Sequence, residues 1–118
     1  MPWNNTIKLE KAGFLDAYRI KYPNPITHPG FTYPANNELV PINKLAWSPD
    51  ADDRDRIDFI FYYSDSRLEL IDAKIVGPKG DIVRNKRVFE KTEDVIMEPQ
   101  GVWPTDHKAV LASFVLKY

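Results

Sequence analysis

Hydrophobic and β-branched residues occur at the spacing of β-strands in three stretches of the chain: residues 56–63, 68–76 and 109–116. Only four residues separate the first two stretches, which favours an antiparallel hairpin between them. The third stretch is apolar on both faces, which also predicts a strand. Asp58 interrupts the apolar run of the first stretch. Because a buried, unpaired carboxylate is costly, Asp58 needs a partner.

Short helices are predicted before these strands. Asn5 or Thr6 fits the N-cap of a helix that ends at Gly13. Asp16 fits the N-cap of a second short helix, which a proline ends. Residues 23–55 contain six prolines and no sustained periodicity, so they predict a long irregular connection of the kind that is often functional.

These elements predict an α/β protein of the α+β type, in which a mainly antiparallel sheet carries short helices on one side. The 118 residues are 43% hydrophobic and 28% charged, as in a single globular domain. The net charge of −1 gives no excess of positive charge for nucleic-acid binding, although a local basic patch is compatible with it. The absence of cysteine excludes disulfides, zinc–thiolate sites and thiol catalysis.

Asp106 and His107 are the candidate chemical groups beside the third strand stretch. Successive side chains on a strand point to opposite faces, so these two residues are predicted to lie on the loop that enters the strand. Neighbouring residues rarely make a good imidazole–carboxylate hydrogen bond, so the acceptor that orients His107 is expected elsewhere in the chain. Asp58 is the candidate for that acceptor.

Two charged clusters fit solvated loops better than ligand sites. The acidic residues within 50–55 do not follow the spacing of an EF-hand, because Asp55 stands where glycine is required. The interleaved arginines favour a partly self-paired loop. Arg84, Lys86 and Arg87 are likewise predicted to be solvated rather than to bind phosphate.

Four short pieces of sequence occur in the order seen in the endonuclease/exonuclease/phosphatase superfamily of exonuclease III-like and deoxyribonuclease I-like enzymes. The pieces are Gly13–Arg19 with Tyr22–Pro23, Gly30–Tyr33, Arg56–Ile60 and Trp103–His107. The most specific are Arg-Ile-Asp-Phe, which begins at Arg56, and Thr-Asp-His, which ends at His107. Over most of its length the chain resembles the C-terminal part of that domain.

The resemblance implies a divalent-metal-dependent phosphoesterase, a nuclease or phosphatase, built as a four-layer α/β sandwich. His107 is similar to the family histidine that acts in hydrolysis of the P–O bond, and Asp58 to the aspartate that holds its imidazole. Asp106 is similar to the aspartate that serves a Mg²⁺ or Mn²⁺ site, and Tyr33 is expected on the substrate side. The implied partners are a phosphoester (nucleic acid, phospholipid or inositol phosphate) and the upstream half of the same domain. No membrane span is expected.

Several family features are missing from residues 1–118. The metal-binding asparagine and glutamate, a second histidine and the Asp-x-Asn motif all precede the matched region in the family, and His28 lies in a proline-rich loop instead. Thr105 replaces the usual serine, and segment 77–101 is longer than in the exonuclease III branch. The chain is therefore expected to be the C-terminal portion of a domain, with about half of a site and little hydrolase activity by itself. The alternative is a non-catalytic, β-rich module that binds carbohydrate or protein.

Overall fold

A computed structural model describes residues 4–45 and 49–117. Its helices and strands, in chain order, are α1 (Asn4–Lys11), β1 (Phe14–Asp16), α2 (Ala17–Lys21), α3 (Ile42–Leu45), β2 (Phe61–Tyr63), β3 (Leu68–Val76), β4 (Asp81–Val83), β5 (Lys86–Val88), β6 (Ile96–Met97) and β7 (Ala109–Leu116). The chain is a small α+β domain with short helices and mostly antiparallel sheets, as predicted. Within these residues, no helix is long and apolar enough to cross a membrane.

The largest sheet has the strand order β6-β3-β7. β3 and β7 pair antiparallel from Leu68 opposite Leu116 to Val76 opposite Ala109, with an irregularity in the register between Leu70 and Asp72. β6 pairs parallel to the end of β3. The strands predicted over 68–76 and 109–116 are therefore confirmed.

The predicted hairpin between residues 56–63 and 68–76 is wrong. Only residues 61–63 form a strand, and β2 pairs antiparallel with β1 instead. The preceding residues take their hydrogen bonds elsewhere, because the backbone N–H groups of Ile57 and Asp58 both donate to the Thr32 hydroxyl. The carbonyl of Ile60 accepts from the N–H of Ala17 at the start of α2. The Thr32 hydroxyl and the first residue of α2 therefore take the hydrogen bonds of residues 57–60 that a partner strand was expected to take.

The two predicted helices are present, but α1 already contains Asn5 and Thr6, so the prediction that one of them is its N-cap is wrong. Helix α2 packs against the sheet. Asp16 is the N-cap of α2, and its side chain accepts a hydrogen bond from the Arg19 N–H. Tyr18 of α2 is buried with Ala73 and Ile75 of β3. Its hydroxyl donates to Asp94, and burial together with this bond raises the pKa of Tyr18, so the phenol stays protonated.

The long connection over 23–55 passes over this core. Gly30 lies there with a φ of 67°, and a side chain at this position would meet the ring of Tyr18 at 2.7 Å. Glycine therefore allows the backbone that leads into Thr32 to approach the core closely. One isolated antiparallel bridge joins Tyr33 to Asp55 at the far end of the connection.

Candidate active site

Asp58 and His107 are brought together from positions 49 residues apart. The Nδ1 atom of His107 lies 2.7 Å from Oδ2 of Asp58, a hydrogen-bond distance. The side chains are 36% and 39% exposed, respectively, so both remain open to solvent. The contact expected from the sequence is present. The carboxylate occupies Nδ1, which leaves Nε2 as the ring nitrogen that can exchange a proton with a ligand or water.

The backbone around His107 is held by its neighbours while the ring stays accessible. As predicted, Asp106 and His107 lie in the loop that precedes β7. The indole N–H of Trp103 donates to the carbonyl of His107 at 2.7 Å. The N–H of His107 donates to the hydroxyl of Thr105 at 3.2 Å. These bonds set the direction in which the loop presents the imidazole.

Thr32 connects the two chain segments that carry the pair. This buried residue accepts hydrogen bonds at Oγ1 from the N–H groups of Ile57, at 3.1 Å, and Asp58, at 3.2 Å. Its carbonyl accepts from the N–H of Lys108 at 2.6 Å. Thr32 therefore touches the backbone of Asp58 on one side and that of the residue after His107 on the other. Sequence reasoning missed this role, although Thr32 lies in the piece Gly30–Tyr33.

Tyr33 lies beside the imidazole. Its ring centroid is 5.2 Å from that of His107, with the planes inclined at 51°. The Tyr33 hydroxyl donates to the carbonyl of Leu45 at 3.0 Å, which holds the ring in place. This position suits a residue that borders the substrate, and that role stays a prediction.

Asp106 is anchored through its backbone, since its carbonyl accepts the N–H of Ala35 at 2.7 Å. Its carboxylate lies 3.3 Å from the Thr105 hydroxyl. Among residues 4–45 and 49–117, no three His, Cys, Asp or Glu side chains are grouped so as to hold a metal ion. Hard divalent cations prefer several oxygen ligands, so the described residues do not by themselves fit a Mg²⁺ or Mn²⁺ site. The metal role of Asp106 stays a prediction.

The charged clusters that flank the site are engaged in the structure. Arg54 pairs with Asp52 at 2.8 Å and with Glu90 at 2.7 Å, so the acidic loop is partly self-paired as predicted. The hydrogen bond from Arg54 lowers the pKa of Asp52. Arg87 differs from the prediction, because it is half-buried and donates to Asn36 at 2.6 Å rather than being solvated.

One curated relative is similar to nearly the whole chain. It is the uncharacterized protein F14F9.5 of Caenorhabditis elegans, 29% identical over 113 residues, which cover 95% of this chain and 31% of that protein. The chain thus spans about a third of the length of this relative. No protein-family model and no solved structure matches the chain.

Proposed function

We propose that this chain is the C-terminal part of a phosphoester hydrolase, a nuclease or phosphatase, in which Asp58 orients His107 at the scissile P–O bond. The 2.7 Å contact between these two accessible side chains carries the proposal. The resemblance of two short motifs to the endonuclease/exonuclease/phosphatase superfamily implies the same two residues, and it was drawn from sequence alone.

The residue types suit this chemistry. A carboxylate at Nδ1 favours one tautomer and stabilises a proton on the ring, so that Nε2 can transfer a proton or donate to the negative charge on a phosphoryl group. Tyr33 borders the imidazole on one side and limits how a substrate approaches. Thr32 keeps the two segments in register.

Metal dependence belongs to the proposal, with most ligands coming from outside the described residues. Mg²⁺ or Mn²⁺, when bound, would polarise the phosphate. Asp106 is the residue that this chain would contribute. Because the described residues do not complete such a site, the 118-residue chain by itself is expected to show little or no hydrolysis.

An upstream half of the domain would complete the second sheet of the proposed four-layer sandwich. In the part of the chain that the structure describes, β7 lies at an edge of its sheet and pairs only with β3. Its exposed side chains include Leu111 and Val115. An apolar edge strand is a template for pairing with another strand. A strand of the upstream half would cover it.

The edge strand makes the upstream-half proposal testable in this chain. We expect the 118-residue chain to associate increasingly with concentration in sedimentation velocity. Val115→Lys places a charge on the edge and should reduce this association. Ile20→Lys, on α2 and about as exposed as Val115, is the matched control for an added charge away from the edge. A chain that stays monomeric at all concentrations would count against an uncovered edge.

The decisive experiment uses a longer protein that contains this region together with an upstream half. Hydrolysis of a phosphodiester and of a phosphomonoester is measured with Mg²⁺, with Mn²⁺ and with chelator. His107→Ala should lower turnover by about 10²- to 10⁴-fold, the range for a general acid or base. Asp58→Asn should lower turnover as well. His28→Ala, a matched histidine outside the pair, should leave turnover unchanged.

The binding-module alternative makes the opposite prediction. It requires that no metal-dependent cleavage of any phosphoester occurs and that His107→Ala changes nothing but ligand affinity. If cleavage occurs but survives His107→Ala at the level of His28→Ala, the hydrolase proposal fails at the residue on which it rests.

A further inference from the structure

A groove of about 600 Å³ opens next to the loop that carries His107. Its walls include the side chains of Leu39, Phe89, Val102 and Trp103. Ligand sites for small molecules commonly have this volume and a mainly apolar lining.

The groove gathers three of the four most exposed large hydrophobic side chains among the described residues. Four large hydrophobic residues are more than two-thirds exposed: Ile26, Leu39, Phe89 and Val102. All except Ile26 line the groove. Single exposed hydrophobics are ordinary, but three around one concave surface indicate an unfilled apolar site.

One wall of the groove is hydrogen-bonded to the backbone of the loop that carries His107. Trp103, whose indole N–H donates to the carbonyl of His107, lines the groove. Asn37 also lines it, and its side-chain amide donates to the carbonyl of Trp103 at 2.7 Å. A molecule whose phosphate lies at His107 would therefore have this groove as the adjoining surface.

Two polar side chains of the groove, those of Asn36 and Glu98, are already engaged. The side chain of Asn36 is buried, accepts from Arg87 at 2.6 Å and donates to the carbonyl of Lys79 at 3.0 Å. The carboxylate of Glu98 accepts from the N–H of Lys79 at 2.8 Å. These two side chains therefore hold the groove in shape rather than offer free hydrogen-bonding groups to a ligand.

The charges around the groove balance. Two carboxylates, Glu38 and Glu98, line it together with the Lys79 ammonium, and the Arg87 guanidinium contacts its floor from behind. Two negative and two positive groups attract neither a further phosphate nor a cation strongly. The charge pattern thus favours an uncharged occupant, in agreement with the apolar walls.

We propose that this groove binds the non-reacting part of the substrate, and that the substrate is a phosphate ester of a large, uncharged, apolar or aromatic alcohol. The assignment of a substrate rests on the proposed hydrolase function, whereas the binding of an apolar group by the groove does not. A nucleic-acid strand or an inositol polyphosphate would place additional negative charge in the groove, which has no excess of positive charge to balance it.

The first test uses 1-naphthol and the 118-residue chain in ¹H–¹⁵N NMR titrations. The indole N–H resonance of Trp103 should shift in a saturable manner, while amides of β7, such as that of Val115, should not. Leu39→Asp should weaken the binding by about tenfold or more, as expected when an apolar contact is replaced by a charge. Ile26→Asp is the control, since Ile26 is a still more exposed hydrophobic residue that lies outside the groove. Equal effects of the two variants, or shifts confined to β7, would overturn the proposal.

The second test adds the phosphate. With 1-naphthyl phosphate, the ring resonances of His107 should shift together with the Trp103 indole, and methyl phosphate should bind about tenfold more weakly. Shifts at Trp103 alone would separate the groove from the pair and overturn its assignment as a substrate site. This result would leave the proposed hydrolysis to its own test with His107→Ala. Conversely, His107 and Trp103 could shift together while the longer protein hydrolyses no phosphoester. That result would refute the hydrolase function but support a binding site for phosphate esters.

Discussion

Two pairs of a carboxylate with a basic side chain, one at Arg56 and one at Asp58, have nearly equal lengths and different surroundings. Arg56 lies 2.6 Å from Asp16, with side chains 20% and 7% exposed. His107 lies 2.7 Å from Asp58, with both side chains more than a third exposed. Because burial determines what a broken pair costs, the first should matter for stability and the second for chemistry.

The buried pair holds several parts of the fold together. Asp16 also caps α2, and the guanidinium of Arg56 lies 4.8 Å from the centroid of the Phe59 ring. Burial and the nearby charge of Arg56 lower the pKa of Arg19 in the same region. The open pair has no comparable set of partners, which leaves the imidazole free to meet a ligand.

The largest expected effect on stability is that of Arg56→Met. It leaves the Asp16 carboxylate buried without its cation and should lower the free energy of unfolding by about 3 kcal/mol, the lower end for a broken buried pair. Urea denaturation followed by circular dichroism measures the change. Arg67→Met removes an exposed arginine and should cost less than about 0.5 kcal/mol. Equal costs for the two variants would show that the pair with Asp16 contributes nothing.

Thr32→Val should have the next largest effect, because it removes the acceptor for two N–H groups while it keeps the shape of the side chain. The cost should be about 2 kcal/mol, and Thr32→Ser, which retains the hydroxyl, should recover most of it. The ¹⁵N resonances of the His107 ring report on the contact with Asp58. They should move in Thr32→Val and return in Thr32→Ser. Unchanged ring resonances in Thr32→Val would limit Thr32 to a structural role.

Sequence predicted the parts of the fold that depend on neighbouring residues. The strands over 68–76 and 109–116 and the N-cap Asp16 follow from local hydrophobic pattern and capping chemistry, and the structure contains them. The pairing of residues 61–63 with β1 was not predicted, since alternation identifies a strand but not its partner.

The site shows the same division. The contact of Asp58 with His107 was expected because two short motifs resemble those of one family, and neither motif alone determines the distance. The role of Thr32 depends on bonds to residues 25, 26 and 76 positions away, which no local pattern reports. The hydrogen bond from the indole N–H of Trp103 was not predicted either, because an aromatic residue in a loop usually indicates packing.

Asp58→Asn should cost less than about 1 kcal/mol of stability, because a pair this exposed is largely screened by water. Urea denaturation beside Arg56→Met gives the direct comparison between the two pairs. A loss as large as that of Arg56→Met would refute the distinction between a structural pair and a chemical one.

Asp52 and Arg54 form a pair of intermediate burial, and their contribution to stability can be tested by pH. The Arg54 side chain is largely buried, while that of Asp52 is 39% exposed. The hydrogen bond from Arg54 lowers the pKa of Asp52 below its ordinary value of 3.8. The unfolded chain therefore binds a proton at Asp52 more readily than the folded one, so the stability contribution is complete above pH 3.8 and disappears as the pH falls through the lower folded value. Asp52→Asn should cost under about 1 kcal/mol at pH 6 and progressively less below pH 4, measured as the difference in urea midpoints. A difference that grows on acidification would mean that the folded state binds a proton at Asp52 more tightly than the unfolded chain does, which contradicts a pKa lowered by Arg54.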